Sequence, residues 1–149
     1  MLAPRVARSA AARRLRGLCS TASGHTLEAT SPGFYMLTLD RPAVHNAFND
    51  HMIRELSQTL DTLHATPGLR GVFVSGGSSK SFCAGADLEW MKRAGTYTAE
   101  QNTADALALS SMLYKLSTLP CPSVALVHGN AFGGGVGLVA ACDIAVGTA

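Results

Sequence analysis

Two runs of small residues carry the chemistry available to this sequence. The first is Ser81-Phe82-Cys83-Ala84-Gly85-Ala86-Asp87-Leu88, and the second is Ala131-Phe132-Gly133-Gly134-Gly135-Val136-Gly137-Leu138. Each supplies a turn that opens a helix, where backbone N–H groups lack intrahelical partners and the helix dipole is positive. Two such turns can aim two N–H groups at one oxygen. That is an oxyanion hole made without side chains, suited to a thioester carbonyl that becomes an enolate. In Ala84-Gly85-Ala86-Asp87 only Asp87 carries a reactive side chain, so function there rests on the backbone and its close approach to a ligand. Asp87 also stands where it would cap a helix starting at Leu88. Taken singly, the first turn reads better as an ordinary strand-to-helix connection, and the second reads equally as a tight packing turn.

Other candidates have plainer readings. Cys83 could be a nucleophile, but no base lies near it in sequence, and a small buried filler is the better assignment. Glu89 reads as a solvated helix residue, Asp143 as structural, and His128 as a core histidine bonded to backbone. Arg41 and Lys92 could reach phosphates, yet surface charges of this kind are ordinary. Gly135-Val136-Gly137-Leu138-Val139-Ala140 fits the G-x-G-x-x-A dinucleotide fingerprint, but in the wrong place. These glycines lie well past the preceding strand, and the given sequence stops before the acidic ribose ligand expected about 20 residues on.

The elements that must position the two turns follow from pattern. Phe34 to Leu39 reads as a buried strand after the Ser31-Pro32-Gly33 break, which closes the leader region. Asn49 or Asp50 can cap a helix with Ile53, Leu56, Leu60 and Leu63 on one face, stopped by Thr66-Pro67-Gly68. Val72-Phe73-Val74, bounded by glycines, is a central parallel strand whose carboxyl end feeds the loop before the first turn. A short helix over Leu88–Met91 precedes a longer one over about 99–119, with Ala106, Leu109, Met112, Leu113 and Leu116 as its stripe. Ser123 to His128 is a second buried strand, Gly134 to Cys142 a small-residue helix, and Asp143 to Val146 a third parallel strand. The alternation is that of an α/β fold.

Together with Leu39-Asp40-Arg41-Pro42-Ala43-Val44-His45-Asn46-Ala47-Phe48, the two turns resemble the crotonase family, the enoyl-CoA hydratases and isomerases. Motif order agrees as well, from about Gly33 to the C-terminus. The resemblance implies a crotonase-like α/β fold of the ββα-superhelix type with a parallel sheet, here truncated, residues 25–149 being the N-terminal half of a longer domain. It implies Ala86 and Gly134 as the two amide donors. Ala84, Gly85, Asp87 and Gly133 would supply further contacts to the acyl-CoA, and His45 and Asn46 would border its adenosine part. It also implies an acyl-CoA thioester as substrate, coenzyme A as part of that substrate with no separate cofactor or metal, and a homo-oligomer, trimer or hexamer, at full length.

One position departs from the pattern. Hydratases with two catalytic glutamates carry the first of them three residues after the middle glycine, where this chain has Gly137. The second would lie past Ala149, so no catalytic carboxylate is carried over. The expected activity is that of an acyl-CoA hydratase/isomerase of fatty-acid or branched-chain amino-acid breakdown, nearest in look to methylglutaconyl-CoA hydratase-like members. The alternative is a non-catalytic acyl-CoA-binding or subunit-interaction module. A serine hydrolase is disfavoured, because the sequence has no G-x-S-x-G turn.

Composition agrees. With 149 residues, 47% hydrophobic and 15% charged, the chain holds one domain's core. Residues 1–24 contain Arg5, Arg8, Arg13, Arg14 and Arg16 and no acids, the composition of a mitochondrial transit peptide, with a disordered basic leader as the alternative. The remaining seven Lys and Arg face ten acids, so the body carries about −3 although the whole chain is +2. Nucleic-acid binding gains no support from that balance. Cys19, Cys83, Cys121 and Cys142 show neither zinc nor disulfide spacing. No run reaches the roughly 18 apolar residues of a membrane span.

Overall fold

The computed structural model describes residues 24–148, so the leader expected at 1–24 lies, except for Gly24, outside the described residues. Five strands form one sheet in sequential order: β1 His25–Ser31, β2 Phe34–Leu39, β3 Gly71–Ser75, β4 Ser123–Val127 and β5 Ile144–Gly147. β2 to β5 pair in parallel, with Met36 opposite Phe73, Phe73 opposite Val124 and Val124 opposite Ile144. The expected parallel sheet is therefore present, with an addition. β1 pairs antiparallel with β2.

This strand corrects the reading of Ser31-Pro32-Gly33 as the close of the leader. Pro32 and Gly33 form the two-residue turn of a hairpin, and Gly33 takes φ +81° there, a combination that suits a type II turn. β1 lacks a clear signature because only its first half faces the core: His25 and Leu27 are buried, whereas Glu28 to Ser31 are exposed.

Four α-helices are described: α1 Asp50–His64, α2 Leu88–Ala94, α3 Ala99–Ser117 and α4 Gly134–Ala141. Asn49 caps α1, its side chain accepting from Met52 N at 2.8 Å. Met52, Ile53, Leu56, Leu60 and Leu63 are all at most 2% exposed and pack into the core with Leu37, Leu39 and Val74 of the sheet. Each such side chain gains about 1.5–3 kcal/mol on leaving water. α3 begins with a full capping box between Thr98 and Gln101 and buries Met112 and Leu116 against α1. Its expected stripe is narrower at the start, since Ala106 is exposed.

At the outer end of the sheet, Asp143 Oδ2 accepts from both Ser123 N and Ser123 Oγ at 2.8 Å. That ties the entry of β5 to the entry of β4, a structural role for Asp143 as expected.

Candidate active site

The loops leaving the carboxyl ends of β2, β3 and β4 converge in a second, minimal β layer. Phe48 bridges Ala86 and Cys83 bridges Ala131, both in parallel. Phe48 N donates to Gly85 O at 2.6 Å, and Asp87 N donates to Phe48 O at 2.7 Å. A residue bridged in this way through its two neighbours turns its own N–H and C=O to the other side. Ala86 N–H therefore faces away from Phe48, and it has no partner among the described residues. Ala86 itself is exposed.

The second turn lies against the first. Phe132 N donates to Cys83 O at 2.9 Å. Gly85 takes φ +87°, and a Cβ there would stand 2.9 Å from Phe132 O and 3.6 Å from Gly133 Cα. Only glycine allows this approach. Gly134 is the first residue of α4, with Gly133 as N-cap. Its N–H is one of the helix's orphan donors and likewise has no partner among the described residues. A Cβ on Gly134 would meet the Phe48 ring at 2.9 Å, and one on Gly135 would meet Cys83 O at 2.5 Å. The three glycines thus seat α4 directly on the strip Phe48 and Cys83–Ala86.

All eight residues singled out from the sequence fall in this one region. Ala84 N donates to His45 O at 2.9 Å, which joins the His45-Asn46 loop to the first turn. His45 is exposed, with φ +53°. Asn46 is fully buried, and its side chain turns inward: Nδ2 donates to Gly76 O at 2.8 Å and Phe82 O at 3.0 Å, and Oδ1 accepts from Arg41 N at 2.9 Å. Its backbone is engaged as well, N donating to Arg41 O at 2.9 Å and O accepting from Cys83 Sγ, so the ligand contact expected of Asn46 is corrected to an internal role in shaping the loop. Asp87 is buried and caps α2, its Oδ1 accepting from Glu89 N at 2.9 Å.

The remaining candidates settle. Cys83 is fully buried, its Sγ–H directed at Asn46 O and its thiol pushed up by that burial, as befits a filler. His128 Nε2 pairs with the Ser79 carbonyl at 2.8 Å. Glu89 is exposed and paired with Lys92 at 2.7 Å. Arg41 is the correction among them: it is no free surface charge, because its guanidinium binds Asp87 Oδ2 at 2.9 Å and the Ala47 carbonyl. Phe48 was missed as a site residue although it lies in a quoted motif; its signal is a large apolar residue directly before the α1 cap, with no strand or helix to bury it. Leu113 was also missed as a neighbour of the site. It lies 3.0 Å from the place a Cβ on Gly137 would take, so α3 side chain fills the space beside that position.

Among the described residues no cluster of His, Cys, Asp and Glu could hold a metal ion, and no helix is long and apolar enough to cross a membrane.

Comparison with known proteins gives this geometry its family. A Thermus thermophilus protein with a provisional enoyl-CoA hydratase name is 41% identical over 108 residues, 72% of this chain and 42% of its own length. A mitochondrial methylglutaconyl-CoA hydratase of Mus musculus is 32% identical over 120 residues, 80% of this chain and 37% of its own. The crystal structure of an enoyl-CoA hydratase from Shewanella pealeana superposes with a TM-score of 0.82 at 32% identity, covering 93% of this chain and 50% of that one. The chain thus spans half or less of the length of these relatives. The enoyl-CoA hydratase/isomerase family model matches residues 29–148, a span that takes in both turns, the Arg41–Phe48 loop and four of the five strands whole, and this chain belongs to that family.

Proposed function

We propose that the chain binds an acyl-CoA thioester with its carbonyl oxygen between Ala86 N–H and Gly134 N–H and stabilises the enolate that forms there, as part of a hydratase or isomerase. The observation that carries this is the pair of amides, without a partner among the described residues, on two turns in van der Waals contact. Negative charge builds on the thioester oxygen when an α-proton leaves or a nucleophile adds at the β-carbon. Both amides then strengthen their hydrogen bonds without moving, and α4 presents its positive end to the same oxygen. Similarity to the mouse methylglutaconyl-CoA hydratase supports a branched acyl group from amino-acid breakdown. The arginine-rich leader supports a mitochondrial setting.

Proton transfer needs a base, and no carboxylate of the described turns is free to act. Asp87 is held by Arg41 and the α2 amides, while Glu89 is turned to solvent beside Lys92. Gly137 brings no carboxylate of its own. This favours, as a second reading, a module that binds acyl-CoA without turning it over.

Gly134 offers a direct test, because the first helical position tolerates proline and proline has no N–H. Gly134→Ala adds the same Cβ against Phe48 but keeps the donor. Turnover of an enoyl-CoA and calorimetric binding of acetyl-CoA are measured for both variants. If the amide acts on the oxyanion, Gly134→Pro is slower than Gly134→Ala by about 10²-fold in turnover. Binding without turnover by the unmodified chain selects the second reading, and equal values for the two variants refute the amide's role.

A further inference from the structure

Arg41 stands at the centre of a network that encloses the Phe48–Ala86 bridge. Its guanidinium binds Ala47 O through Nη1 and Asp87 Oδ2 through Nη2, the neighbours of the two bridged residues. Behind it, Arg41 N donates to Asn46 Oδ1 and Asn46 N donates to Arg41 O, both at 2.9 Å. Asn46 Nδ2 in turn reaches the Phe82 carbonyl on the run entering the first turn.

Asp87 faces both ways. A helix cap uses one carboxylate oxygen, and here Oδ1 takes Glu89 N while Oδ2 is left for the guanidinium. The ion pair is also the most enclosed in the described residues, with side chains 22% and 10% exposed, against 72% and 80% for Lys92 and Glu89 on the same helix. Burial works to raise the Asp87 carboxyl's pKa, and the Arg41 hydrogen bond with the two α2 amides outweighs it, leaving it below the ordinary value. An enclosed guanidinium that reaches two different acceptors through its two Nη atoms fixes their spacing, because its plane leaves little freedom to either partner.

We propose that Arg41 and Asp87 are positioning residues, a clamp on both flanks of the Phe48–Ala86 bridge that sets the direction of Ala86 N–H and therefore the recognition of the thioester carbonyl. The inference rests on the reading that Ala86 N–H donates to that carbonyl. It makes no contact with substrate a requirement for either side chain.

The test compares two ligands on the full chain: acetyl-CoA, and S-ethyl-CoA, a thioether that lacks the carbonyl. Their affinity ratio, measured by calorimetry, isolates the carbonyl contact from the rest of CoA binding. Two neutral hydrogen bonds predict acetyl-CoA to bind about tenfold more tightly to the unmodified chain. Asp87→Asn keeps an oxygen to cap α2 and removes the charge, and Arg41→Lys keeps the charge and removes the fork. Both lower the ratio to about threefold or less, the loss falling on acetyl-CoA, and the double variant is no worse than the worse single one. Glu89→Gln leaves the ratio intact. A purely structural role would weaken both ligands alike, and circular-dichroism melts identify which variants are folded; if Asp87→Asn is not, Arg41→Lys decides. An unmodified chain that fails to distinguish the ligands refutes the donor reading itself. A chain that distinguishes them, with folded clamp variants that do so equally well, overturns the clamp alone.

Discussion

At the scale of single residues, the site depends on backbone that comes closer than a side chain allows. Gly85→Ala would place a Cβ 2.9 Å from Phe132 O at φ +87°, whereas Gly68→Ala at φ +72° meets nothing within 4 Å. The account predicts a cost of about 1 kcal/mol at Gly68 and about 3 kcal/mol at Gly85 in urea denaturation, the difference being the contact between the two turns. Cysteine chemistry gives a second prediction. Burial, with the Asp143 charge adding to it against a hydrogen bond from Ser123, pushes the Cys142 thiol up to about 11, and burial raises Cys83 as well. Peptide mapping after iodoacetamide at pH 8 is expected to show both alkylated at least tenfold more slowly than free cysteine. Rapid alkylation of Cys83 would reopen it as a nucleophile.

At the scale of elements, α4 matters as much for what it touches as for the amide it presents. Gly137 faces Leu113 of α3, with room for hydrogen but tight contact for a methyl. Gly137→Glu is therefore expected to cost about 1–3 kcal/mol through overpacking, and Leu113→Ala in the same chain should recover part of it. Thermal melts of the single and double variants measure both effects. The elements differ in how far sequence revealed them. α1 was legible because Ile53, Leu56, Leu60 and Leu63 repeat at helical spacing behind an Asn or Asp cap, and the two turns because their order after the Leu39–Phe48 motif resembles that of the family. β1 was hidden by its polar second half and by the leader composition before it. Asn46 and Arg41 were misjudged for a different reason: their partners, the Gly76 and Phe82 carbonyls and the Asp87 carboxylate, lie in other segments, and single-sequence spacing does not encode those hydrogen bonds.

At the scale of the molecule, one mostly parallel sheet brings three loops to the carboxyl ends of its strands, and carboxylates on the adjoining helices and loops and at the outer strand hold the frame. Asp50, Asp87 and Asp143 all keep their carboxyls below the ordinary value: Asp50 and Asp87 despite burial, through Arg54 and Arg93 and through Arg41, and Asp143 through Ser123. The unfolded chain takes up these protons first as pH falls. Their stabilisation is complete above about pH 5 and is lost as pH drops below about 4 through the lowered native values, so the melting temperature should be level from pH 5 to 7 and fall steeply below 4. A steady rise on acidification would contradict these pairings. The central claim, two amides converging on one acyl oxygen, is tested most directly by a crystal structure of the chain with acetyl-CoA. The account predicts the thioester oxygen about 2.7–3.1 Å from both Ala86 N and Gly134 N, and an oxygen bound by neither nitrogen, or by one alone, would contradict it.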